Sequence, residues 1–245
     1  MYDADMELRL LSYDPIDVDG VPVQHVSIDK IQKFGLNRYN NILSYLTIPQ
    51  DRLDSFEKDG VENKLTPCSF LYISAAANPK FWDDIRSGLE LFCGSLPLLD
   101  DSSVAFIFPN FTIHENNFGA IQEMIRVRNG VKRVAEADEN PSNERARQLL
   151  QRRREVREML AKAKHKEADA LNLADLVSIF ASFMRLPISE VMKYDMYQFD
   201  DQFGRLKIMD DYQMGVQAIL HGAKSEDVDL KHWMCKQQPD EESGT

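Results

Sequence analysis

Cysteine is scarce in this chain. Cys68, Cys93 and Cys235 are odd in number and never spaced as C-x-x-C, which argues against a disulfide framework, a zinc site or a dithiol redox centre and favours reduced thiols in a cytosolic protein. No apolar run approaches the roughly 18 residues that a membrane span requires. The opening "MYDADMELRLLSYDP" carries acids where a secretory leader needs positive charge, so neither secretion nor membrane insertion is expected. Neither G-x-G-x-x-G nor G-x-x-x-x-G-K-[ST] occurs, and without them a phosphate-binding loop has no support. Basic charge is also in deficit. A net charge of -11 sets the chain as a whole against nucleic acid and anionic membranes, which carry the same sign.

What is present is enough apolar residue to build a core: 43% of 245 residues are hydrophobic and 28% charged, as in a globular protein. In "ELRLLSYDPIDVDGVPVQHVSI" two extended runs flank the turn-prone Asp17 to Gly20, which predicts a β-hairpin. Ser27 or Asp29 then starts a helix in which Ile28, Ile31, Phe34, Tyr39, Ile42 and Leu46 recur at near-helical spacing. "CSFLYISAAA" reads as a third extended run, and "PKFWDDIRSGLELFCG" as a helix opened by Pro79 and closed by Gly94. "SSVAFIFPN" predicts a strand and "ENNFGAIQEMIRVRNG" a helix. Strands mixed with helices over 1–130 predict a small mixed α/β domain, and a mainly helical C-terminal region follows, an α+β fold overall.

Composition changes after Gly130. "VKRVAEADENPSNE" is polar, and the next segment holds nine Lys/Arg against three Glu between Glu144 and Lys166. That local +6 leaves -17 elsewhere. The apolar stripe Leu149, Val156, Leu160, Ala163 is too short for a coiled coil, so residues 131–168 read as a polar linker and a connecting basic helix. A helical domain is expected over 169–235, with one long helix from Met196 to His221, and a disordered polar tail over 236–245.

Several groups could carry chemistry. Asp200 with Asp201, and Asp210 with Asp211, are paired carboxylates, but helix neighbours point about 100° apart and chelate poorly. Met196, Phe199, Phe203, Leu206, Met209, Val216 and Ile219 fall largely on the opposite stripe, so the acids read as a solvated face, and no metal or cofactor is expected. His221 and His232 lack a nucleophile motif nearby; no catalytic residues are assigned. Arg152, Arg153, Arg154 and Arg157 could neutralise phosphates, which defines the alternative function, a nucleic-acid-associated protein acting through 145–166. Against it, the -17 elsewhere offers that helix a docking surface nearer home. Phe180, Phe183, Met184, Met192, Met196, Phe199, Phe203, Met209 and Tyr212 exceed what one helix face can hide, and such adaptable side chains suit a partner-binding groove.

Two passages resemble the tail assembly chaperones of long-tailed bacteriophages of Gram-positive hosts. In the first, a hairpin precedes I-x-x-I-x-x-F-G-x-x-x-Y-N-x-x-L-S-x-L-T-I, from Ile28 to Ile48. In the second, "LPISEV" opens a helix, F-x-x-x-F-x-R-L follows from Phe199, and D-Y-x-x-x-x-x-A-I-L-x-G-A from Asp211 precedes "KHW". The resemblance implies a non-catalytic protein of virion morphogenesis in the bacterial host cytoplasm. It would bind the phage tape measure protein and tail tube protein, with homo-oligomers as a further option. The segment from Val131 to Lys166 lies outside both passages.

Overall fold

A computed structural model describes residues 4–54, 65–100, 103–131, 171–224, 228, 230 and 232–235. The chain forms two compact units, Met1–Val131 with Met192–Thr245, and Lys132–Val191. The segment 169–235, expected as one helical domain, is therefore divided between them. The architecture is α+β, with small antiparallel sheets in the N-terminal half and helices beyond.

In the first unit, α1 (Ala4–Leu10) precedes the hairpin of β1 (Ile16–Val18) and β2 (Val21–Val23). Val18 pairs with Val21, which leaves Asp19 (φ 51) and Gly20 (φ 80) as a two-residue turn. Positive φ at both positions gives the twist that closes such hairpins, and the Asp17 carboxylate accepts from Gly20 N–H at 3.1 Å. "ELRLL", expected within the first extended run, is helical through Leu10 instead. Of its five residues only Leu10 is buried, so no sheet face claims the others.

The Ser27 hydroxyl caps α2 (Ile28–Phe34) by accepting from Lys30 N–H at 3.3 Å. The single helix expected to run to Leu46 breaks at Gly35, whose φ of 97 resumes the chain as α3 (Leu36–Leu46). A short α4 (Gln50–Asp54) follows.

"CSFLYISAAA" is not a strand but most of α5 (Pro67–Ala77). Pro67 supplies a preset φ at the first turn, and Thr66 and Ser69 cap each other's backbone, signals that outweigh the β propensity of the aromatic and branched residues. Its buried residues, Cys68, Leu71 and Ala75, lie at helical spacing. Asn78 then caps α6 (Pro79–Cys93), and Gly94 ends it at φ 83. Strands β3 (Leu98–Leu99), β4 (Ala105–Ile107) and β5 (Thr112–His114) form an antiparallel sheet in sequence order. Helix α7 (Glu115–Arg128) leaves β5 through His114, whose Nδ1 accepts from Asn116 N–H at 3.2 Å.

The core gathers around α6. Ile85, Leu89, Phe92 and Cys93 are buried with Leu10, Val21, Ile31, Ile42, Leu71, Phe106 and Ile121. A Cβ at Gly88 would collide with Ile42 Cγ2, so glycine sets the close approach of α3 and α6. Cys68 and Cys93 are buried, which pushes both thiols up to about 12 and leaves them unreactive.

The second unit contains α8 (Leu173–Met184), capped by the Asn172 side chain, which accepts from Ala174 and Asp175 N–H at 2.8 and 3.1 Å. Arg185 ends it in the left-handed region (φ 56), and Leu186 N–H returns to Ala181 O at 3.0 Å. That closing pattern satisfies the terminal carbonyls without glycine. A single turn, α9 (Ile188–Val191), follows.

Candidate partner-binding site: the exposed apolar helices

Helix α10 (Met196–Leu220) is the long helix anticipated from the sequence, and its first turn is held by a buried polar cluster. Asp195 caps it: Oδ1 accepts from Gln198 N–H at 2.9 Å, while Gln198 Oε1 accepts from Asp195 N–H at 3.1 Å. The other carboxylate oxygen faces Arg128 Nε at 3.5 Å and His25 Nε2 at 3.9 Å. Arg128 is 1% exposed and Asp195 0%. The Arg128 terminal nitrogens donate to Ser12, Asp14 and Val23 carbonyls at 2.7–3.1 Å, and Gln198 Nε2 donates to Leu11 O at 3.0 Å. Backbone bonds from Ile28 N–H to Tyr194 O and from Asp29 N–H to Met192 O, 2.8 and 2.9 Å, complete the attachment.

Burial dominates the electrostatics of this cluster. It pushes the Asp195 carboxyl up to about 6, against the opposing pull of the Gln198 N–H and the Arg128 guanidinium. It lowers His25 below 6.5, with Arg128 and Lys30 acting in the same direction and the bond to Gln198 against them. A carboxylate with no exposed surface, spent on a helix cap and an ion pair, anchors α10; it is not placed to meet a substrate.

Beyond the anchor α10 is little covered. Of its 25 residues only Gln198 and Phe199 are buried. Met196, Phe203, Leu206, Met209, Val216 and Ile219, expected on one stripe opposite the acids, are half-buried but spread round the helix, with Val216 and Ile219 on the far side from Met196 and Phe203. Met214 and Leu220 are 63% and 78% exposed. Part of the distal flank is covered by the chain's own return. A Cβ at Gly215 would lie 2.9 Å from Leu230 Cδ1 and 3.2 Å from Val228 Cγ1, and the Tyr212 and His232 rings stand 5.1 Å apart. Asp200, Asp210 and Asp211 are exposed, and Arg205 Nε meets Asp201 at 3.3 Å. Among the described residues no group of three or more His, Cys, Asp or Glu could hold a metal, and no helix is long and apolar enough to cross a membrane.

The nine residues singled out as partner-binding divide between the units. In the second, Phe180 is buried, whereas Phe183 and Met184 are 42% and 41% exposed. In the first, Phe199 is buried, and Met192, Met196, Phe203, Met209 and Tyr212 are half-buried. Phe180 and Phe199, at 1% exposure each, are core residues of the folded chain. Among the exposed apolar residues not singled out are Ile179 and Ile188, at 42% and 55%. Ile179 precedes Phe183 by one helical turn, a spacing visible in the sequence. The Asp195 to Gln198 capping pair was legible too; the pairing with Arg128 had no local signal. Arg152, Arg153, Arg154 and Arg157 lie outside the described residues.

Comparison with known proteins finds one family match. The family model for the YomV second domain matches residues 162–237. YomV belongs to the SPbeta phage region of Bacillus, so the matched domain family is phage-associated. The span contains α8, α9, α10 and the return segment. No curated protein and no solved structure matches the chain.

Proposed function

We propose that this is a non-catalytic phage morphogenesis protein, a tail assembly chaperone that shelters the tape measure protein and receives tail tube subunits in the host cytoplasm. The observation that carries the proposal is the exposed apolar face in the second unit. Ile179, Phe183 and Met184 on α8 continue into Ile188 on α9, each more than two-fifths exposed, within the phage-associated segment. Val177, Phe180 and Ala181 fill the buried side of the same helix. An apolar helical face left in water is what an amphipathic client helix would cover. Phenylalanine supplies area, and methionine adapts to a changing client sequence.

The test is coexpression with the tape measure protein of the same phage genome. The wild-type chain should keep the client soluble and co-purify with it. Phe183→Glu with Met184→Glu should lose both properties while the variant itself stays folded, because these side chains are exposed. Charge reversal at Arg152, Arg153 and Arg154 should leave capture unchanged; loss of capture only in that variant, with binding of random-sequence nucleic acid by the wild type, would favour the nucleic-acid function.

A further inference from the structure

Past its anchored end, α10 carries an exposed line of residues that runs beside the half-buried Phe203 and apart from Gly215, which the return segment covers. Lys207, Asp211, Met214 and Ala218 are all exposed. Their spacing of i, i+4, i+7 and i+11 puts them in one line along the helix. Met214 is 63% exposed. The Lys207 ammonium lies 5.2 Å from the centre of the Phe203 ring. Among the described residues Asp210 and Asp211 form no ion pair, whereas Arg205 on another face is matched by Asp201.

The order of charge along this line is what identifies an occupant. Lysine precedes the two aspartates by about one turn, so the face complements itself when read in the opposite direction. We propose that it binds a second copy of this chain, α10 against α10 antiparallel, about a two-fold axis near residue 209. Lys207 of each copy then lies level with Asp211 of the other and beside its Asp210. Met214 lies level with Gly204 of the other copy. A parallel arrangement would set lysine against lysine and aspartate against aspartate, so the charges choose the direction as well as the partner. This proposal stands on the α10 surface alone and is independent of the chaperone function, whose face is on α8.

Sedimentation equilibrium of the full chain at low and high salt tests it. The wild type should show a reversible monomer–dimer equilibrium that salt weakens. Lys207→Glu makes the face acidic throughout, and Asp210→Lys with Asp211→Lys makes it basic throughout; each should weaken self-association about tenfold or more, since every charged contact between copies becomes a repulsion. An equimolar mixture of the two variants should associate at least as tightly as the wild type. Circular dichroism should be unchanged, because every altered side chain is exposed. Three outcomes overturn the proposal: a wild type that is monomeric throughout, reversal variants that associate like the wild type, or a mixture that stays monomeric. Loss of tape measure capture in these variants, beside a monomeric wild type, would assign the face to the client and equally overturn it.

Discussion

Helices α6 and α10 are built from similar materials and do opposite things. The 15 residues of α6 place Ile85, Gly88, Leu89, Phe92 and Cys93 in the core, so one face runs buried from the second turn to the last. The 25 residues of α10 bury only Gln198 and Phe199. Neither length nor apolar content accounts for the difference. Helix α6 is held along its side by oil, through neighbours that approach as closely as Gly88 permits. Helix α10 is held at one end by polar groups, the Asp195, Arg128, His25 and Gln198 cluster. Side-on packing consumes a helix surface; end-on anchoring leaves it available. A buried ion pair contributes little net stability but is costly to break, which suits a device that fixes where a helix starts.

The largest effect expected is at the anchor. Arg128→Ala leaves Asp195 buried without its partner and three carbonyls without a donor, and should cost about 3–5 kcal/mol in urea unfolding. A loss below about 1 kcal/mol would mean that the cluster does not anchor α10 and would erase the contrast with α6. On the α6 side, Gly88→Val forces a branched side chain into Ile42 and should cost about 1–3 kcal/mol by the same measurement.

The anchor should also respond to pH in a way that a hydrocarbon contact cannot. Asp195 titrates at about 6 when folded and near 3.8 when not, so its contribution is full below about pH 4 and is lost as pH rises through 6. His25 is lowered, so its contribution is present above 6.5 and is lost as pH falls through its folded value. Asp195→Asn should flatten the loss seen on raising the pH from 4 to 6, and His25→Gln should flatten the loss on acidification. Urea titrations across pH 4–8 should show slope changes of opposite sign, and parallel curves for both variants would remove the cluster from the account. The smallest effect is expected at the free end, where Leu220→Ala, at a site 78% exposed, should alter stability by no more than about 0.5 kcal/mol.

Much of the fold was legible in short stretches. Asp19-Gly20 announced the hairpin, Ser27, Asn78 and Asn172 stood at helix starts, and Gly94 and Gly222 followed helix ends. The errors share a cause. "CSFLYISAAA" has strand-like residues, but Thr66 and Pro67 just before it begin a helix, so a cap decided against propensity. "KFGLN" keeps helical spacing across Gly35, whose positive φ interrupts it. Of the partner residues, the spacing identified Phe183 and Met184 together with Phe180 and Phe199, which the core claims. Periodicity tells which residues share a face; it does not tell whether that face meets protein or water.

The chain's own sequence determined where most helices and turns begin and end, that Asp200, Asp210 and Asp211 face water, and that its last third is rich in aromatic and methionine side chains. Those properties depend on residues within a turn or two of each other. Only the tertiary structure decided that Arg128 meets Asp195, that Gly88 admits Ile42, and that α10 is gripped at its first turn and left open beyond. Each of these joins residues far apart in the chain, and burial, unlike capping, is a property of what the rest of the molecule brings alongside.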